Sequence, residues 1–215
     1  MNTFFVFRTV VLLFVAFSGG CGEAEENVSA LPYYNDESLT PLWVAADSVD
    51  GRIAHKVGNF SLTDQNDGVV TQKVMEGNIT VVDFFFTSCP ALCPKLTRSM
   101  LRIQDSIQGE PGVQLLSLSV TPEQDSVPVL KAYAEANGID DAQWHLLTGS
   151  HSAIYSAARE HYFADVDTGA NAFLHTETFY LVDGQRRIRG VYNGTLATDV
   201  VQLVEDIRTL QKTQS

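Results

Sequence analysis

Read for the spacing of hydrophobic and polar positions, the chain divides into short segments of strand period and longer ones of helix period. Gly58-Asn59-Phe60-Ser61-Leu62-Thr63 alternates apolar and polar, Asp64-Gln65-Asn66-Asp67-Gly68 is a turn, and Val69 to Val74 can return as the second arm of a hairpin. A second turn follows at Glu76-Gly77-Asn78. Ile79 to Phe86 is then a run of β-branched and aromatic residues interrupted only by Thr80 and Asp83, the pattern of a central strand buried on both faces. Beyond Pro94, the residues Leu96, Met100, Leu101, Ile103 and Ile107 recur at helical spacing until Gly109 and Pro111 stop them. Gly112 to Val120 is a second buried strand. A strand, helix, strand unit of this length implies a parallel pair joined by a right-handed crossover.

Pro122 and Asp125 break the chain before a helix predicted over Val127 to Asn137, with Gly138 in the C-terminal stop position. Trp144 to Leu147 reads as a short strand, and Ser150 or Ser152 caps a helix running to Tyr162. Thr176 to Val182 and Ile188 to Tyr192 are strands joined through Asp183-Gly184. Thr198 caps a last helix with Val200, Val201, Leu203, Val204, Ile207 and Leu210 on one face. This order predicts an α/β thioredoxin-like fold: a central mixed sheet, helices flanking both sides, and an added N-terminal hairpin.

The first residues carry a different pattern. Arg8 and the amino terminus precede an apolar core, Thr9 to Phe17, and then Ser18-Gly19-Gly20-Cys21. That core is short for a membrane span, which needs about 20 apolar residues. The stretch resembles a bacterial lipoprotein signal, with Ser18 where leucine is common. The resemblance implies a signal peptide over 1–20 and Cys21 as the lipid-modified first residue of the mature protein. Residues 21–30 form an acidic tether and 31–215 the folded domain, held at a membrane in the cell envelope, outside the cytoplasm. Leu31 to Trp43, with Pro32, Tyr33, Tyr34 and Pro41, is too aromatic for a free linker and is expected to pack as an irregular arm.

Composition adds one exclusion. With 26 acidic against 14 basic residues the net charge is −12, and no Lys/Arg cluster stands out, so the footprint of a nucleic-acid partner is missing. A 45% hydrophobic, 19% charged chain of 215 residues is otherwise ordinary for one domain.

The chemistry concentrates where the first buried strand runs out. If Cys21 carries lipid, Cys89 and Cys93 are the cysteines left in the domain. A disulfide closing so small a loop removes little chain entropy, so the pair is functional rather than a staple. Pro90 and Pro94 place both thiols at a strand-to-helix turn, where the helix dipole is expected to favour thiolates. Two thiolates are soft ligands that suit Cu(I), and Cu(II) or zinc when an imidazole completes the set. Of the five histidines, His55, His145, His151 and His161 read as surface or packed residues. His175 immediately precedes the Thr176 strand, and in a thioredoxin-like topology the segment entering that strand faces the redox turn. Asp83 either tunes the thiols or marks an exposed strand edge; Asp125 either caps the next helix or supports the site.

Four stretches together resemble the SCO/SenC family of copper-binding assembly proteins: Phe84 to Pro94 with its Cys89-Pro90-Ala91-Leu92-Cys93 core, Leu118 to Ser126 with Leu130 to Tyr133, Trp144 to Gly149, and Leu174 to Asp183. The resemblance spans about Leu31 to Leu210. It implies copper, as Cu(I) or Cu(II), held by Cys89, Cys93 and His175. It also implies delivery to the copper-site subunit of a respiratory cytochrome c oxidase, with a thiol reductant keeping the pair open. Thr121 stands where the family often has aspartate. The alternative is a thiol-disulfide oxidoreductase without metal, in which Cys89 attacks partner disulfides. A peroxidase-like relative would need a catalytic threonine and arginine, for which Thr87 and Arg98 are the candidates.

Overall fold

The computed structural model describes residues 1, 30–89, 92–164 and 177–214. A short helix, α1 (Val49–Arg52), precedes an antiparallel hairpin of β1 (Ser61–Thr63) and β2 (Val69–Thr71). Then follow β3 (Ile79–Phe85), α2 (Cys93–Ser106), β4 (Val113–Ser119), α3 (Val127–Asn137), β5 (Trp144–Leu147), α4 (His151–Ser156), β6 (Thr178–Val182), β7 (Ile188–Asn193) and α5 (Ala197–Gln214). The main sheet has the order β5-β4-β3-β6-β7, parallel across β3, β4 and β5 and antiparallel across β3, β6 and β7. The mixed sheet and the added hairpin match the expectation.

Every residue of β3 is buried, Thr80 and Asp83 included, as a largely apolar run requires of the middle strand. Its side chains alternate between two cores. Ile79, Val81 and Phe85 pack with Leu96, Met100 and Ile103 of α2, Leu130 of α3 and Leu203 and Ile207 of α5. Val82 and Phe84 face Leu62, Val70, Met75, Ile154 and Tyr162, so the hairpin and α4 cover the opposite face. The buried apolar residues run from Leu31 to Leu210. The aromatic arm is pinned to β7: Tyr34 N–H donates to the Ile188 carbonyl at 3.1 Å, and Arg189 donates to the carbonyls of Leu31 and Pro32 with its guanidinium 3.9 Å from the Tyr33 ring centroid. Trp43 departs from that expectation, standing 56% exposed.

Several boundaries also depart from expectation. The second hairpin arm stops at Thr71, whose hydroxyl accepts from Lys73 N–H at 3.4 Å and starts a 3-10 turn over Gln72–Met75. α5 begins at Ala197, which puts Thr198 inside its first turn rather than at the cap. Ser150 caps α4 as expected, accepting from Ala153 N–H at 3.2 Å, but the helix continues as a π-helical turn, Ala157–His161. Gly138 closes α3 in the left-handed conformation, φ 71°, the stop foreseen for it.

Candidate dithiol and metal site

β3 and β4 run parallel and end together, Phe85 opposite Ser119. Two backbone turns therefore leave the sheet side by side: Phe86-Thr87-Ser88-Cys89 from β3 and Val120-Thr121 from β4. Asp125, wholly buried, joins them. Its carboxylate accepts from the Thr87 hydroxyl at 2.5 Å and Thr87 N–H at 3.3 Å, and from the hydroxyls of Ser119 at 2.6 Å and Thr121 at 3.1 Å. This corrects the helix-cap reading of Asp125. α3 begins at a Ser126 that makes no side-chain capping bond, while Asp125 fastens the turn two residues before Cys89. Thr121, where the family often has aspartate, is one of its donors.

Neither Cys89 nor Cys93 is in a disulfide. α2 starts at Cys93, and the Cys93 N–H, which has no carbonyl within the helix to reach, donates to Cys89 Sγ, 3.2 Å away. The Cys89 sulfur thus occupies the place of a capping oxygen, and Pro94 follows in the first turn, where its missing N–H costs nothing. The two thiols differ in surroundings. Cys89 is partly exposed; Cys93 is 4% exposed, among the apolar residues of the α2 core. Burial, and then the neighbouring Cys89, push the Cys93 thiol up to about 12. For Cys93 the expected help from the helix dipole is outweighed: a dipole contributes about 1 kcal/mol, less than the cost of charging a sulfur in an apolar core.

Asp83 lies on the same side of β3 as Phe85 and is 2% exposed, so the exposed-edge reading fails. It accepts a hydrogen bond from the hydroxyl of Ser117, the residue opposite it on β4, and Ser117 Oγ accepts from Trp144 Nε1–H at 2.9 Å. Burial pushes the Asp83 carboxyl up to about 7, against the opposing effect of the Ser117 bond. Nearby, Tyr133 packs 5.7 Å from the Phe85 ring and shares a 2.8 Å hydrogen bond with Thr97.

Four histidines have the packed or surface roles expected of them. His55 Nε2–H donates to the His161 carbonyl at 2.9 Å and its ring lies 4.1 Å from Phe163. His145 Nδ1 pairs with Asp64 at 3.1 Å, His151 stacks on Tyr155, and His161 packs against Gly58. His175, Cys21 and Pro90 lie outside the described residues. Among the described residues no group of three or more His, Cys, Asp or Glu could hold a metal ion, so the donors brought together are the two sulfurs. The peroxidase-like constellation is not assembled: the Thr87 hydroxyl is committed to Asp125 and Arg98 is exposed.

Sequence reasoning missed the partners of both carboxylates. Ser117 and Ser119, two hydroxyls in the buried half of β4, were the available signal.

Two cysteines outside any disulfide at a strand-to-helix turn, on a sheet with helices on both faces, define a thioredoxin-like dithiol domain. The sequence profile of SCO1/SenC matches residues 50–212, and the chain belongs to that family. It is similar to a SCO1/SenC family lipoprotein from Bacillus anthracis str. Ames, with 30% identity, TM-score 0.67, and 73% of this chain and 95% of that one covered. It is similar to BsSco, a member of the Sco family of cytochrome c oxidase assembly proteins with an identified disulfide switch (28%, TM-score 0.65, 74% and 94% covered). A third neighbour is ScoI of Arabidopsis thaliana with copper bound (26%, TM-score 0.59, 72% and 98% covered).

Proposed function

We propose that this protein is an envelope-anchored copper carrier that assists assembly of the copper centre of a cytochrome c oxidase, with copper as its cargo. The observation that carries the reading is the meeting of two cysteines outside any disulfide at one helix start, Cys93 N–H against Cys89 Sγ, in a chain of this family. Two sulfurs fit a soft ion such as Cu(I), and His175 is proposed as the third ligand. Relatives carrying copper, acting in oxidase assembly and bearing a lipoprotein anchor support the assignment. Cys21 is the proposed lipid site. Among the described residues no helix is long and apolar enough to cross a membrane.

In this reading the Cys89–Cys93 disulfide is the unloaded form. A dithiol reductant supplies two electrons and two protons to open it, and copper then displaces the thiol protons. Because the ligands must be deprotonated, affinity falls in acid. The test is stoichiometric Cu(I) titration of reduced, lipid-free protein, beside the His175→Ala variant. One copper per chain in the wild type and a clear loss in the variant are expected; no uptake by the wild type rejects the carrier role.

The unequal burial of the two thiols favours a second reading, thiol-disulfide exchange with a partner. A partly exposed Cys89 would attack and a buried Cys93 resolve. Disulfide reductase activity that survives His175→Ala, with no copper uptake, would select it.

A further inference from the structure

α2 and α5 lie side by side on one face of the sheet and leave a groove between their outer flanks. Its floor is Val200 and Val204, 4% and 9% exposed, and Val201 stands at its rim, 60% exposed. Arg102 from α2 and Arg208 from α5 line it together, with Glu205 as its acid. The groove continues a stripe. Lys95, Arg98 and Arg102 recur at i, i+3 and i+7 on the exposed side of α2, opposed on that helix by Asp105 alone. The ion pairs found among the described residues involve Lys131, His145, Arg187 and Arg189, so the stripe cations and Arg208 are unpaired there. On a chain of net charge −12 this helix reverses the local sign. It does so from the thiols outward: Lys95 is two residues past Cys93, and Arg102 about 14 Å along the axis.

We propose that this stripe and groove dock a partner protein through an acidic segment carrying an apolar side chain. Carboxylates meet Lys95, Arg98, Arg102 and Arg208, and the apolar group enters between Val200, Val201 and Val204. A concavity between two helices suits an inserted side chain better than a flat bilayer. A segment seated in the groove lies at the Ser106 end of α2, and one that follows the stripe from there to Lys95 reaches the end that bears Cys93. The inference deepens the proposed function by naming the surface through which an exchange partner approaches, and rests on it only in that respect.

The test is amide chemical-shift mapping of the reduced, lipid-free domain, residues 31–215, which contains all of the core described above. The probes are a synthetic amphipathic Glu/Leu peptide, its Lys/Leu counterpart, and phosphatidylglycerol vesicles. Shifts confined to 95–106 and 197–208 with the acidic peptide are expected, weakening as salt rises. Arg102→Glu with Arg208→Glu should lower its affinity at least about tenfold, and Val201→Asp should do the same without touching either arginine. No shifts, shifts elsewhere, equal binding of the basic peptide, or a preference for vesicles would overturn the proposal. Copper titration of the double variant separates the two claims. Normal copper uptake with lost docking confirms this surface, whereas a wild type that docks the peptide but takes up no copper defeats the carrier reading alone.

Discussion

Asp125 makes the sharpest claim about how the fold holds its thiols. Replacing it with alanine removes an acceptor of four donor groups and leaves the Ser119 hydroxyl hydrogen, on a fully buried residue, without its acceptor, while Ser119 Oγ still accepts from Thr121 N–H at 3.2 Å. Hydrogen bonds to a charged acceptor are each worth about 1.5–3 kcal/mol. Thr87 and Thr121 are only partly buried and regain water, so the four do not add. Counting Ser119 in full and the Thr87 pair in part gives a loss of about 3–4 kcal/mol. With a urea m-value of about 2–3 kcal/mol/M for a domain of this size, the midpoint should fall by about 1–2 M at unchanged m. Asp125→Asn keeps one acceptor and should lose about half as much. Because Thr87 lies two residues before Cys89, alkylation of Cys89 in the folded Asp125→Asn variant should also quicken. A midpoint within about 0.2 M of wild type for Asp125→Ala would refute the reasoning, because the carboxylate would then not be what joins the two turns.

Three further outcomes follow from the same structure. With its carboxyl raised to about 7, Asp83 binds a proton more tightly folded than unfolded, so its contribution is full below about pH 4 and is lost as pH rises through 7. The stability difference between wild type and Asp83→Asn should therefore shift against wild type by up to about 4 kcal/mol from pH 4 to 8, measured by urea unfolding at each pH. At pH 8 the native reduced protein should take iodoacetamide on Cys89, while Cys93, with its thiol raised to about 12, labels only after unfolding; peptide mass spectrometry reads the ratio. A Cβ at Gly58 would fall 2.2 Å from His161 Nε2, so Gly58→Ala should cost more than about 2 kcal/mol in unfolding experiments.

Elements with a clean period were legible before any coordinates. β3, β4, β5 and α3 stand where their patterns put them, since a run such as Ile79 to Phe85 has few ways to bury itself. Features built from distant segments were not. The donors to Asp125 come from Thr87, Ser119 and Thr121, on two different turns, so from the sequence Asp125 looked like a helix cap. The α2 stripe is diluted by Leu96, Met100 and Ile103, and Arg208 joins it only because α5 packs beside α2, which is why no basic cluster stood out in the linear chain. Asp83 had two readings, and its burial removes the exposed strand edge. The state of Cys93 was misjudged because the helix dipole is visible in a sequence and the depth of a sulfur in the core is not.

The central claim is that Cys89 and Cys93, completed by His175, carry copper. Cu(I) titration of the reduced, lipid-free protein, followed by X-ray absorption on the loaded form, tests it most directly. One copper per chain is expected, with two sulfurs and one nitrogen at about 2.0–2.3 Å, and loss of the nitrogen in His175→Ala. Absence of copper uptake, or a sphere unaltered by His175→Ala, would contradict it.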